Sequence, residues 1–310
     1  MSIFSKKLIY NGILILITFF IISVNGQEAL INSTTMSYDL LVENNSTGDG
    51  ISNRWAVLIG CSEYDNNGLM EKIDINTINY MKNILIYNGW KEDYIYILIS
   101  EQATTEAIMN DSFNWLIDGG EDTDDVILFL FCGHGFYLDE DLEPFDEVDG
   151  TDEIIHPWDT EWGGWYPNTY IVDDDLSEKF KALKSKSKLI IIDTCHSGVM
   201  IDGACDLYCS GQVVITASRN HELSYSLPLP MMHLLTYYLC KAFNSNDDKN
   251  NDGCISAEEA FLIIEQPVKI RSLIFTLLYP FATPMIQHPQ IFDGWPSEED
   301  NSEELILIEL

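Results

Sequence analysis

The sequence predicts an α/β domain built on a mostly parallel sheet, and three observations carry that reading. Short apolar runs of strand length recur from Trp55 onward, longer amphipathic stretches separate them, and the runs are hydrophobic throughout rather than alternating. A strand covered by helices on both faces reads this way because neither face meets water. The 310 residues, 46% hydrophobic and 12% aromatic, supply apolar surface for a substantial core. With 50 acidic against 16 basic residues the formal charge is −34, which argues against a nucleic-acid partner because no basic surface is left to meet phosphates.

The first strand is Trp55 to Gly60 (WAVLIG), followed by helical periodicity around Ile75 to Tyr87. The second, Tyr94 to Ile99 (YIYILI), precedes a helix around Thr104 to Ile117. The third, Val126 to Cys132 (VILFLFC), precedes a long acidic connection and a helix around Leu176 to Leu183. The fourth and fifth are Lys188 to Asp193 (KLIIID) and Gln212 to Ala217 (QVVITA), and a last helix is expected over Met232 to Phe243. No repeat of fixed period is present. Ahead of this domain, Lys6 and Lys7 precede an apolar run from Leu8 to Val24, so residues 1–26 read as a secretory signal peptide or, if retained, a membrane anchor. Residues 27–52 form a polar linker with N-x-[ST] sequons at Asn32, Asn44 and Asn45, which fits a secreted or surface-anchored protein. The folded domain is expected over 53–296, with 297–310 an acidic, poorly ordered tail.

The chemistry gathers at the carboxyl ends of the third and fourth strands, where open α/β sheets place their sites. The third strand runs into Cys132-Gly133-His134-Gly135 and the fourth into Asp193-Thr194-Cys195-His196-Ser197-Gly198. If the two strands are neighbours, His134 and Cys195 face each other across a crevice. A thiol needs such an imidazole to be an effective nucleophile at neutral pH. The glycines let the backbone approach a substrate, and the amides of Gly135 and Cys195 can form an oxyanion hole. Asp193, two residues before Cys195, shares its face about 7 Å away. A carboxylate there disfavours a thiolate unless a cation intervenes, so Asp193 either holds a substrate Lys or Arg or caps loop amides. His196 should point away from the nucleophile. Cys132 reads as buried and inert. His156, His221, His233 and His288 lack zinc spacing and read as structural. Cys205 and Cys209 read either as a local bridge or as two free thiols.

Strand-GHG followed by strand-DTCHSG resembles the caspase-like cysteine peptidases, metacaspases most of all. The acidic segments Asp149-Gly150-Thr151-Asp152-Glu153 and Ile171-Val172-Asp173-Asp174-Asp175 extend the likeness, which covers roughly 54–295. The resemblance implies a caspase-like three-layer sandwich, a sheet of about six strands with helices on both faces. It also implies a Cys195–His134 dyad, protein or peptide substrates, and Asp193 as the carboxylate that holds a basic residue before the scissile bond. A second pocket acid, expected at the start of the first helix, falls on Asp74. The caspase signature Q-A-C-[RQG]-G is absent, which favours cleavage after Lys or Arg over cleavage after aspartate. A legumain-like preference for Asn or Asp, or an inactive calcium-binding module, are the alternatives. In metacaspases that require calcium, the ligating acids match Asp152, Asp173, Asp174 and Asp202. An insert after Pro157 brings Trp158, Trp162, Trp165 and Tyr166, which read as a substrate-facing wall or as packing.

An independent signal for calcium lies at residues 248–259, Asp248-Lys249-Asn250-Asn251-Asp252-Gly253-Cys254-Ile255-Ser256-Ala257-Glu258-Glu259. Oxygen donors fall at positions 1, 3 and 5, glycine at 6, an aliphatic residue at 8, Ser at 9 and Glu at 12, the pattern of an EF-hand loop. Asp248, Asn250, Asp252, the Cys254 carbonyl, a Ser256-held water and Glu259 are the expected ligands, and Ca2+ is the expected ion. A single loop points to a structural site rather than a paired sensor.

Overall fold

The computed structural model describes residues 48–62, 69–138, 142, 150–160, 170–201, 207–278, 286–297 and 303–310. Expectations on Asn32, Asn44, Asn45, Trp162, Trp165, Tyr166, Asp202 and Cys205, and on the segment 1–26, fall outside these residues. Among the described residues no helix is long and apolar enough to cross a membrane.

All five expected strands form. They are β1 (Arg54–Cys61), β2 (Ile95–Ile99), β3 (Val126–Tyr137), β6 (Ser187–Asp193) and β7 (Gln212–Thr216), all parallel to one another. The order is β11-β7-β6-β3-β1-β2, with β11 (Gln290–Asp293) added antiparallel at the edge beside β7. Past its parallel portion, β3 continues as one arm of an antiparallel ladder with β4 (Glu153–His156), and β4 pairs β5 (Ile171–Val172). This extension is the main departure from the expected strands, since the sequence places the end of β3 at Cys132.

Each central strand is apolar along its whole length because both faces are covered, and alternate residues go to opposite sides. Leu58, Leu128, Leu130, Leu189 and Ile191 pack against α1 (Leu69–Tyr87), α4 (Leu234–Phe243) and α5 (Ala257–Leu278). Val57, Ile59, Phe129, Phe131 and Ile190 pack against α2 (Ser112–Gly119, extended forward by a π turn over Ala107–Asp111) and α3 (Asp173–Ala182). The result is the expected three-layer sandwich. Helix α3 starts three residues earlier than its apolar pattern suggests. Asp173, Asp174 and Asp175 occupy its first turn and Lys179 and Lys181 its last, complementing the helix dipole at both ends.

Contrary to the expectation of a loose acidic end, residues 303–310 are ordered: β12 (Ile306–Glu309) pairs antiparallel with β10 (Cys254–Ser256), and Leu305, Leu307 and Ile308 are buried in the core shared with α1, α4 and α5. The Leu307 carbonyl accepts from the Trp90 indole N–H at 3.2 Å, and Glu309 meets Arg54 of β1 at 2.7 Å. The acidic residues before it obscure an apolar run, Leu305-Ile306-Leu307-Ile308, that has the length and composition of a strand.

Candidate active site

The β3–β6 register ends with Cys132 beside Asp193, and two residues further along each chain stand His134, still in β3, and Cys195, in the turn past the end of β6. Strand alternation sends Cys132 toward the α1–α4 face, and His134, two further on, shares that side. The approach of the two strand ends is close. A Cβ on Gly135 would stand 2.4 Å from Thr194 Oγ1 and 2.9 Å from the Cys195 carbonyl, so only glycine fits there.

The two reactive groups are mostly buried. Burial pushes the Cys195 thiol up, opposed by the Ser224 N–H that donates to Sγ at 3.3 Å and reinforced by the charge of Asp193. Burial likewise lowers the His134 pKa, against the hydrogen bond it makes to the Ser62 carbonyl at 3.2 Å. A carbonyl can only accept, so Nε2 carries the proton and Nδ1 keeps the lone pair. Both shifts favour the uncharged forms, the thiol of Cys195 and the neutral imidazole of His134. His156, read from sequence as an isolated structural histidine, lies opposite His134 in the β3–β4 ladder, and burial followed by the His134 charge holds it down at about 4.

The other sulfur and the adjacent histidine fall where the sequence puts them. Cys132 is fully buried, 3.3 Å from Thr236 Oγ1, with its pKa far above the ordinary thiol value through burial and then Asp193. His196 turns away: its Nδ1 lies 3.1 Å from the Asn220 carbonyl and its ring stands edge-on to Phe136 and Tyr137.

Asp193 and Asp74, the two carboxylates expected in a substrate pocket, are fully buried, and their oxygens are already engaged. Asp193 Oδ1 accepts from Ser224 Oγ at 2.8 Å, and Oδ2 accepts from the amide and hydroxyl of Thr236 at 2.9 and 2.8 Å. Asp74 Oδ2 accepts from the Ser62 amide at 2.8 Å. Its Oδ1 accepts from Ser62 Oγ at 2.7 Å and from His233 Nε2 at 3.0 Å. Ser62, Ser224, His233 and Thr236 carry no motif, and no sequence signal marks them.

Asp152 and Asp173 are buried and Asp174 is half-buried; extending the Ile154–Val172 pairing by one step sets Glu153 opposite Asp173. The Leu142 amide donates to Asp152. In the 248–259 segment, Asp248 accepts from the amides of Asn251, Asp252 and Gly253 at 2.6, 3.3 and 2.9 Å, and Gly253 takes the left-handed φ of +89° that the sharp turn requires. Glu259 accepts from the amides of Lys249 and Asn250 through Oε1 and of Ser256 through Oε2. The donor set is all oxygen, and helix α5 begins at position 10, so the residues fit a hard cation once these carboxylates turn from the amides to an ion. Positions 7 to 9, which an EF-hand pair would join to a second loop, are instead β10, joined to β12. A different acidic trio, Asp49, Asp122 and Asp124, brings its oxygens within 4.8 Å of one another at the surface, where Asp122 and Asp124 accept from the amides of Asp49 and Gly50.

Residues 54–204 match the family model described as metacaspase, peptidase C14 domain, and residues 165–273 match the Peptidase C13 family. Curated relatives include Metacaspase-1 of Schizosaccharomyces pombe, 32% identical over 184 residues, covering 55% of this chain and 41% of the relative. Metacaspase-1 of Candida albicans is 32% identical over 138 residues, covering 41% and 30%, and that of Pyricularia oryzae 32% over 157 residues, covering 48% and 37%. The matched stretch spans less than half the length of these relatives. A crystal structure of a Geobacter sulfurreducens protein shares the fold with a TM-score of 0.51 at 14% identity, covering 77% of this chain and 92% of its own.

Proposed function

Starting from a chain whose residues 54–204 match the metacaspase peptidase C14 domain model and which is 32% identical to Metacaspase-1 of Schizosaccharomyces pombe over 184 residues, we propose that it is a caspase-like cysteine endopeptidase that binds calcium and cleaves proteins after Lys or Arg. The observation that supports the reading is the β3–β6 register, with Cys132 beside Asp193, His134 and Cys195 each two residues further along, and Gly135 close against Thr194 and Cys195. His134 Nδ1 takes the thiol proton as Sγ attacks the peptide carbonyl, and the amides of Gly135 and Cys195 receive the developing oxyanion. The protonated imidazole then gives its proton to the departing amine, leaving a thioester. Water, deprotonated by the same nitrogen, releases the acid and restores the thiol.

The preference for a basic residue rests on Asp193 beneath the nucleophile. A Lys or Arg side chain entering there gains the carboxylate by replacing or sharing the hydroxyls of Ser224 and Thr236. Calcium would be held by Asp248, Asn250, Asp252, the Cys254 carbonyl and Glu259, and a second ion by Asp152, Asp173, Asp174 and Asp202. Its contribution is to order loops. The acidic surface and the N-terminal apolar run fit export or surface anchoring.

The test is a peptide library offered to the purified protein with and without calcium, alongside Cys195→Ala and Cys132→Ala. Cleavage after Lys and Arg, lost in Cys195→Ala and kept in Cys132→Ala, is expected. Cleavage after Asn or Asp would replace the basic specificity with a legumain-like one, and hydrolysis retained in Cys195→Ala would remove the dyad. No cleavage, and no labelling of Cys195 by electrophilic peptides, would leave an inactive binding module.

A further inference from the structure

Behind His134 runs a line of buried polar groups that the bond-breaking steps do not touch. The carbonyl that accepts from His134 Nε2 belongs to Ser62, and the amide and hydroxyl of that same residue donate to the two oxygens of Asp74. Asp74 is 0% exposed and His233 4%, their contact is 3.0 Å, and the His233 amide is itself fixed by Thr77 Oγ1 at 3.0 Å. Three elements meet there: Ser62 follows β1, Asp74 and Thr77 lie on α1, and His233 ends β9 (Met231–His233).

We propose that Asp74 and His233 are positioning residues, a buried ion pair that clamps Ser62 and, through its carbonyl, holds the ring of His134 in the orientation that presents Nδ1 to Cys195. The inference rests on the Cys195–His134 reading above and assigns Asp74 a place behind the histidine instead of in the substrate pocket. A buried aspartate facing only hydroxyls and amides is costly, and the imidazolium of His233 balances it. The charged and titratable groups that face His233 are Asp74 from α1, Asp193 from the end of β6 and His134 from β3. Burial alone would lower the His233 pKa, but the Asp74 hydrogen bond and the charges of Asp193 and Asp74 outweigh it and raise it. The positive ring in turn adds to the burial that keeps His134 neutral, the form a base requires.

The experiment compares wild type with Asp74→Asn and His233→Gln by two readouts. One is kcat and KM on peptides carrying Lys or a neutral residue before the scissile bond. The other is the pH profile of Cys195 alkylation by iodoacetamide, located by peptide mapping, which needs no substrate recognition. Asp74→Asn should lower kcat about 100-fold through misplacement of the base, leave KM for the Lys peptide within about threefold, and displace the alkylation profile. His233→Gln, which keeps a donor toward Asp74, should cost less in kcat but move the His134 ionisation upward, because the Asp74 charge is no longer balanced. A rise in KM confined to the Lys peptide, with kcat and the alkylation profile unchanged, would return Asp74 to the pocket and overturn the proposal. If wild type cleaves no peptide, a displaced profile in the variants still supports positioning and only the peptidase reading falls. An undisplaced profile in both variants overturns positioning whatever the activity, and if Asp74→Asn does not fold, His233→Gln carries the same decision.

Discussion

Asp193 and Asp248 are aspartates of the same chain, each with both oxygens occupied by hydrogen bonds, yet the donors come from opposite scales of the molecule. Those of Asp193 lie 31 and 43 positions further along, on segments that the sheet brings together. Those of Asp248 lie three to five positions along, within one turn of the loop. Asp193 is 0% exposed, whereas the loop between Asp248 and Gly253 lies at the surface. The difference teaches what each carboxylate can do. The loop acid can exchange backbone amides for an ion at little cost, because water replaces whatever it leaves. The pocket acid can accept a new cation only if a tertiary contact gives way.

The largest expected effect breaks the buried side of this contrast. Asp193→Asn turns a triple acceptor into a group whose amide hydrogens oppose the donors of Ser224 or Thr236. It should cost about 2 kcal/mol or more in chemical denaturation, and cleavage after Lys should fall by more than cleavage after neutral residues. A variant with wild-type stability and full basic preference would make Asp193 no more constrained than a surface acid. Next comes the exposed side: Glu259→Gln should remove most of the stabilisation that calcium at a hundredfold excess over its Kd provides, on the order of 2.7 kcal/mol, while peptide cleavage at low temperature is unchanged. Asp173→Ala with Asp174→Ala should instead shift the calcium concentration that supports cleavage, and thermal and kinetic titrations of the two variants separate the sites.

The smallest effect concerns the seam between loop and terminal strand. Burial lifts the Glu258 carboxyl to about 7 from an ordinary value of 4.5, while the Leu305 amide donates to it. A carboxyl raised in the folded state binds its proton more tightly there than when unfolded. Its contribution is thus complete below about pH 4.5 and lost as pH rises through about 7, amounting to roughly 3 kcal/mol. Glu258→Gln should flatten the stability–pH curve in that window and raise stability at pH 8. An unchanged slope would show that Glu258 titrates as an ordinary carboxylate.

How much was legible follows the same division of scales. The five strands, the GHG and DTCHSG ends and the 248–259 loop are all written in consecutive residues, so pattern and spacing reveal them. Edge strand β11 carries no clear sequence signal because it is four residues long and flanked by Pro289 and Gly294. β12 was hidden behind its acidic neighbours, and its partner β10 lies some fifty positions away. The pairing of Asp74 with His233 spans 159 positions and is invisible until α1 and α4 pack on one face of the sheet. A lone buried histidine carries no periodicity, and its role appears only with its partner.

Ser224, His233 and Thr236 all come from the single stretch 224–236, which includes a short hairpin whose tip residue Leu229 is 82% exposed. Contact with the nucleophile, closure of Asp193 and the charge balance of Asp74 are therefore attached to one piece of backbone. Substitutions at these three positions will not behave independently. Once one anchor is lost, the stretch gains freedom that weakens the other two, so the second substitution should cost less than it does in the intact protein. Specificity and reactivity then share a common free-energy term, and evolution or engineering cannot retune the pocket through this stretch without also altering the environment of the sulfur.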